Sequence, residues 1–275
     1  MTYPPSKLYK YYEIKDFLPK ILNGESLKFS CPFDFNDPFE SRYCYQIDDS
    51  KDGGRFIHEK VKRHISNPSK RITESQRIKN RFKAPRSLED DDVFNEVIRQ
   101  VGVFCLSEVN DSILMWSHYA NEHKGICIGF DTGKSMFQLA WQVKYQEEFP
   151  IILRPKDNEE ILLNKSLLTK AGCWSYEKEW RIIKRTLTLE EKNHSLRRGD
   201  LSDEDIRQLT NGRGPGDYSF PKEAIKEIYL GARIEAEQRI KVIQYVRDAN
   251  LNIPVYEARR NSHSYSLGFD PIKLT

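Results

Sequence analysis

Gly125-Ile126-Cys127-Ile128-Gly129-Phe130-Asp131 is the stretch on which the fold turns. Strand alternation puts Ile126, Ile128 and Phe130 on one face and Cys127 and Gly129 on the other. A face of three large apolar side chains needs a covering layer, while a glycine on the opposite face admits a close approach to the backbone. The stretch is therefore expected to lie inside a sheet whose two faces differ. Upstream, Val101 to Ser107 reads as a second strand, Asn110-Asp111-Ser112 as a turn and cap, and Ile113 to Ala120 as a short helix.

Further out, Leu8 to Tyr12 reads as a strand. A short helix capped by Asp16 carries Phe17, Leu18, Ile21 and Leu22 on one face and ends at Asn23-Gly24, before a strand from Leu27 to Ser30. Asp37, Pro38 and Glu40 have the spacing of a capping box that opens a helix. A brief helix near Lys134 to Trp141 leads to a strand from Gln142 to Tyr145. Glu159 to Ala171 reads as a helix with Ile161, Leu162, Leu167 and Leu168 as its core stripe. Trp174 to Arg185 alternates as one strand, with Glu177, Glu179 and Arg181 on a shared face. Ile225 to Leu230, Glu235 to Ala249 and Ile253 to Tyr256 form a β-α-β unit. Helices do not alternate regularly with these strands. The expected class is α+β, a mixed, mostly antiparallel β-sheet core with short flanking helices and a charged helical insertion. The expected organisation is a single domain over 1–275, with the insertion at 46–100 and a polar surface loop at 186–217.

Of the 275 residues, 38% are hydrophobic, 12% aromatic and 31% charged, enough apolar material for a core and too much for a disordered chain. No run approaches the ~18 apolar residues of a membrane span, and Met1 to Lys10 lacks an apolar leader core. A cytoplasmic protein without membrane association is expected. Five cysteines, at 31, 44, 105, 127 and 173, are odd in number and none is in a C-x-x-C pair, which argues against a disulfide framework and a zinc ribbon. No metal site is expected.

The net charge of +3 hides an asymmetry: residues 51–86 carry 12 Lys/Arg against three acids. That stretch reads either as a solvated helical insertion or as a phosphate-contacting flap for a nucleotide or nucleic acid. Its few aromatics, Phe56 and Phe82, give weak material for base stacking.

Two groups of residues have chemistry to offer. Met115-Trp116-Ser117-His118-Tyr119-Ala120 puts Trp116 and Tyr119 on one helix face. Ser117 and His118 are adjacent and cannot face each other on a helix, so they do not pair, and His118 stands as a general acid or base or a ligand contact. His123 and Lys124 read as cations at the helix end. In the second group, Glu177 and Glu179 on one strand face would stand ~6.6 Å apart, with Arg181 steadying Glu179. This is either an acid/base face able to stabilise positive charge or an exposed surface ion pair.

Leu8-Tyr9-Lys10-Tyr11, Phe35-Asn36-Asp37-Pro38-Phe39-Glu40, Met115 to Ala120, His123-Lys124-Gly125 to Asp131 and Trp174 to Arg181 occur in this order. Together they resemble the bacterial domain-of-unknown-function family numbered 2971, over roughly residues 7 to 232. The resemblance implies little settled biochemistry and gene neighbourhoods often associated with phage defence. A remoter resemblance is to ADP-ribosyltransferases, which open strand–helix–strand and carry a catalytic Glu, sometimes as E-x-E, on a late strand. That resemblance implies NAD as a possible substrate and Glu179 as the carboxylate that steadies an oxocarbenium-like transition state. It places Lys10 where the first-strand His or Arg stands, and Tyr11 or Tyr119 against nicotinamide. Two departures are Lys10 itself and a second strand reduced to Phe29-Ser30.

The expected site thus comprises Glu179, His118 and Arg181 as catalytic residues and Tyr9, Lys10, Tyr11, Asn36, Trp116, Tyr119 and Glu177 as ligand-binding ones. The function expected from it is a defence-associated enzyme acting on a nucleotide or nucleic acid by ADP-ribosyl or related glycosyl transfer. The alternative is a non-catalytic sensor or binding module, and a third reading is that these residues mainly hold the fold.

Overall fold

A computed structural model of the chain describes residues 3–87, 92–184 and 214–273. In chain order its strands are β1 (Lys7–Tyr12), β2 (Leu27–Phe29), β3 (Cys44–Ile47), β4 (Arg86–Ser87), β5 (Gly102–Ser107), β6 (Ile126–Asp131), β7 (Trp141–Gln142), β8 (Lys144–Gln146), β9 (Ile151–Arg154), β10 (Thr169–Ala171), β11 (Glu179–Lys184), β12 (Gly216–Tyr218), β13 (Ile225–Leu230), β14 (Val255–Arg260) and β15 (Leu267–Ile272). The helices are α1 (Leu18–Leu22), α2 (Lys51–Lys62), α3 (Pro68–Arg81), α4 (Asp92–Arg99), α5 (Ile113–Tyr119), α6 (Glu159–Leu167) and α7 (Ala236–Asp248). Among the described residues no helix is long and apolar enough to cross a membrane.

The chain divides into two compact units. The first takes Met1–Asp34, Ile98–Val143 and Cys173–Thr275, and the second Phe35–Val97 and Lys144–Gly172. Most of the stretch expected as an insertion at 46–100 falls in the second unit, which also draws on residues far downstream.

The first unit is built on an eight-stranded sheet in the order β15-β14-β13-β6-β1-β5-β11-β7. Only β13 and β14 run parallel within it, joined by α7 as the crossover, and every other neighbouring pair is antiparallel. This is the α+β architecture with a mixed, mostly antiparallel sheet. β6, which carries Ile126, Ile128 and Phe130, lies centrally between β13 and β1. Ile126, Ile128 and Phe130 are fully buried and pack with Leu8, Phe104, Trp180, Ile182 and Ile228. α1 and α7 cover that face through Ile21, Leu22, Val242 and Val246. On the other face Cys127 packs with Tyr11, Trp116 and Tyr229, and α5 lies over them.

The second unit holds a β4-β3-β9 sheet and a β8-β10 pair. Ile47, Ile57 and Val61 form a small core, with Tyr45, Ile78 and Phe82 packed against it. The basic stretch is therefore a helical pair, α2 and α3. α2 buries one stripe, whereas α3 buries no residue, so most of its cations are solvated.

Several expectations are corrected. Glu159 to Ala171 is not one helix: α6 stops at Leu167 and β10 follows, leaving Ile161 of the expected stripe exposed. Asp37 does cap a turn, accepting from the Phe39 N–H at 2.9 Å, but no helix follows. Ser41 takes a left-handed conformation (φ 59°), which a helix cannot include, and the Glu40 carboxylate pairs instead with buried Lys170 at 3.5 Å. The strand expected over Gln142 to Tyr145 is split between β7 and β8, in different sheets. α1 has Phe17 rather than Asp16 at its cap, so Phe17 is exposed and only Leu18, Ile21 and Leu22 of the expected apolar face are buried. Residues 186–213 of the expected polar loop lie outside the described residues, and its last part is strand, since Gly216–Tyr218 pairs with Leu27–Phe29.

Candidate functional site

The polar face of the large sheet is assembled by register. Glu227 of β13 pairs with Gly129 of β6, Gly129 with Tyr9 of β1, Tyr9 with Ser107 of β5, and Ser107 with Glu179 of β11. One transverse row thus crosses five strands, and alternation sends its side chains to the Cys127 side of the sheet. Glu177, Glu179 and Glu227 are only 3%, 4% and 5% exposed. Burying carboxylates is costly unless each finds donors, and each does.

At one end of the row, the segment before β11 is not strand. Gly172–Glu177 is a 3₁₀ turn, and Lys178 is left-handed (φ 43°). The single strand expected over Trp174 to Arg185 is therefore corrected: the left-handed residue re-aims the chain, and Glu177 and Glu179 do not share a strand face. The Ser107 hydroxyl fastens the turn, donating to the Glu177 carbonyl at 2.6 Å while accepting from the Val109 N–H at 3.1 Å. Glu179 and Arg181 do share a face. Arg181 Nε donates to Glu179 Oε1 at 2.8 Å and Nη2 to Oε2 at 3.0 Å, with the guanidinium wholly buried. This is a bidentate, desolvated pair rather than an exposed surface one. Cys105 is the ladder partner of Arg181, and burial together with the Glu179 charge pushes its thiol up to about 12.

Glu177 takes a different donor: the Tyr119 hydroxyl, from α5, donates to its Oε1 at 2.7 Å. His118 is exposed, with its ring 6.2 Å from Tyr119 and 6.3 Å from Tyr176. His118, Tyr119, Tyr176 and Glu177 thus form one connected group.

At the other end of the row, Lys7 donates to both oxygens of Glu227, at 2.9 and 2.8 Å, and the Tyr9 hydroxyl donates to Oε1 at 3.0 Å. Burial and the Glu227 charge push the Tyr9 phenol up. The space left by Gly129 is taken here, since a Cβ at that position would lie 2.8 Å from Glu227 Cγ. The close approach expected at Gly129 is thus made by a side chain of the same sheet.

Other expected ligand-binding residues are placed elsewhere. Lys10 lies on the opposite face with Leu8 and Tyr12, its ammonium 5.2 Å above the Phe104 ring, because strand alternation separates it from Tyr9 and Tyr11. Trp116 is fully buried, donates from Nε1 to the Asn110 carbonyl at 2.7 Å and stacks edge-on with Tyr11, whose hydroxyl donates to the Val109 carbonyl at 2.7 Å. Both therefore serve packing under α5. Asn36 belongs to the second unit. Among the described residues no group of three or more His, Cys, Asp and Glu is gathered to hold a metal ion.

Glu227, Lys7 and Ser107 belong to this face but not to the expected site. The signal lay in the alternation of Lys7-Leu8-Tyr9 and Glu227-Ile228-Tyr229, which puts polar side chains on the Cys127 and Gly129 face once the strands are paired. A Ser–His contact was missed as well: Ser117 Oγ lies 3.1 Å from Nε2 of His123, not of its neighbour His118. Left-handed Asn121, Glu122 and His123 fold the chain back so that the imidazole stacks on Trp116.

Residues 115–182 match a family model described as protein of unknown function (DUF2971). No curated protein and no solved structure matches the chain.

Proposed function

From the match of residues 115–182 to the model of the DUF2971 family and the geometry of β11, we propose that the protein is a group-transfer enzyme acting on a nucleotide or nucleic acid, moving an ADP-ribosyl or related glycosyl group, with Glu179 as the key carboxylate. The observation that carries this reading is the burial of two carboxylates at the head of β11, Glu179 against Arg181 and Glu177 against the Tyr119 phenol, whose ring neighbours the exposed His118. A fold that desolvates charges at one edge of its sheet holds them in fixed orientations, and such groups stabilise developing positive charge more strongly than solvated ones. In transfer from NAD the bond between the ribose C1′ and nicotinamide breaks, nicotinamide leaves with the electron pair, and an acceptor oxygen or nitrogen bonds to C1′ and gives up its proton. Glu179 steadies the cationic ribose, and His118 takes the proton. The basic helices α2 and α3 supply the polyanion-contacting surface. The phage-defence setting rests on the family resemblance alone.

A second reading has its own observation. Both oxygens of Glu179 are engaged by Arg181, which suits a sensor or binding module in which this pair fixes the architecture. The experiment compares metabolites and nucleic acids of cells expressing the wild type with those of cells expressing Glu179→Gln/Arg181→Met. The double variant is needed because Glu179→Gln alone leaves a buried guanidinium unpaired, at a cost of about 3–5 kcal/mol, whereas replacing both partners is often neutral. The enzyme reading expects a modified nucleotide or nucleic acid with the wild type and none with a folded double variant. No difference between the two cultures favours the binding module.

A further inference from the structure

The parallel strands β13 and β14 both end at the same edge of the sheet, and their following loops, 231–235 and 261–266, frame a cavity of about 600 Å³. Ligands of open α/β sheets collect outside the carboxyl ends of parallel strands, and this volume is that of a nucleotide-sized site. Its lining includes His123, Arg233, Arg260, His263, Ser264 and Tyr265, and no Asp or Glu. The contrast with neighbouring arginines is informative. Arg239 on α7 pairs with Glu257 at 3.0 Å and Arg259 on β14 with Asp270 at 3.0 Å. Among the described residues no carboxylate pairs with Arg233 or Arg260. Burial and the Arg233 charge hold His123 below the usual histidine range, as expected where positive charge converges unanswered.

The β14–β15 loop has a fixed shape. The Asn261 N–H donates to the Ser266 carbonyl at 3.1 Å, its side-chain amide donates to Ser266 Oγ at 2.6 Å, and the Ser264 and Ser266 hydroxyls lie 2.7 Å apart. Tyr265, at the tip of this loop, is fully exposed and lines the cavity. An aromatic ring held in water beside a cationic cavity is a platform for a base.

We propose that this cavity binds a small molecule carrying a nucleoside diphosphate, with the diphosphate between Arg233 and Arg260 and the base on Tyr265. Guanidinium forks match phosphoryl oxygens in geometry as well as charge. The site is separate from Glu179: β13, the nearer of the two strands that frame it, and β11 are four positions apart in the sheet, roughly 19 Å at ~4.8 Å per strand. It therefore stands whether or not the group-transfer reading holds.

Calorimetric titration of the full chain with ADP, pyrophosphate, adenosine and a short oligothymidylate tests it. ADP and pyrophosphate are expected to bind and adenosine not to. Arg233→Gln/Arg260→Gln is expected to weaken ADP binding by about 100-fold with an unmoved thermal midpoint. Tyr265→Ala is expected to weaken ADP and spare pyrophosphate, and being a change at a fully exposed ring it keeps the test open if the arginine variant misfolds. Glu179→Gln/Arg181→Met is expected to bind ADP as the wild type does. Adenosine binding equal to that of ADP, absence of ADP binding, indifference to the substitutions in the cavity, or an oligothymidylate that outcompetes ADP would each overturn the proposal.

Discussion

Arg181 sits in the sheet interior with its whole charge answered across a two-residue step on one strand, and this arrangement sets what each side chain around it can do. Cys105, its ladder partner, lies beside Glu179 in a desolvated place that pushes the thiol up to about 12. At pH 8 that thiol stays protonated and is a poor nucleophile. Peptide mapping after iodoacetamide treatment of the native protein at pH 8 is expected to find Cys173, which is exposed, alkylated and Cys105 unmodified. Equal labelling of both would mean that the half-buried Cys105 thiol is not held protonated by its surroundings. At this scale the sequence was legible where alternation alone decides: the two faces of β6, and Glu179 with Arg181. It was not legible where a single backbone angle intervenes. Lys178 has no glycine or asparagine to announce a left-handed turn, so Glu177 was assigned to a strand face it does not occupy.

Strand β11 also carries a cation on the apolar side. Lys184 is 1% exposed, its ammonium 3.6 Å above the Tyr218 ring, and burial brings its pKa down to about 8. The folded chain then releases this proton near pH 8, while the unfolded chain keeps it to ~10.4. Between those values the unfolded state binds more protons, so stability rises with pH. Relative to Lys184→Met, the wild type is expected to gain roughly 1 kcal/mol per pH unit between pH 8 and 9.5, measured by urea unfolding of both proteins. A difference independent of pH would contradict the assigned burial. Elements with strong local signals, β1, β6, α5 and the β13-α7-β14 crossover, were readable from the sequence. Short strands such as β3, β4, β9 and β12 were not, because two to four residues carry too little pattern and their pairing comes from distant segments.

On the scale of the whole molecule, the irregular order of strands and helices foretold the α+β class, and the local charge count the basic stretch. The division into two units was not readable, because the second unit is closed by residues 144–172, far from the charged stretch in sequence. α3 buries no residue and rests on the few apolar contacts of the second unit's small core, whereas β1 and β6 lie in the middle of the eight-stranded sheet. Hydrogen exchange is expected to be complete in α3 well before the amides of β1 and β6 begin to exchange, since segments with little buried apolar surface open locally. Simultaneous exchange of both would mean that the two units unfold as one. The proposed glycosyl transfer by the buried acid at the head of β11 is put to the test by nicotinamide release from NAD in the presence of nucleic acid. Release by the wild type is expected, with a loss of about 100-fold or more in a folded Glu179→Gln/Arg181→Met protein. No release by the wild type, or equal release by both, would contradict it.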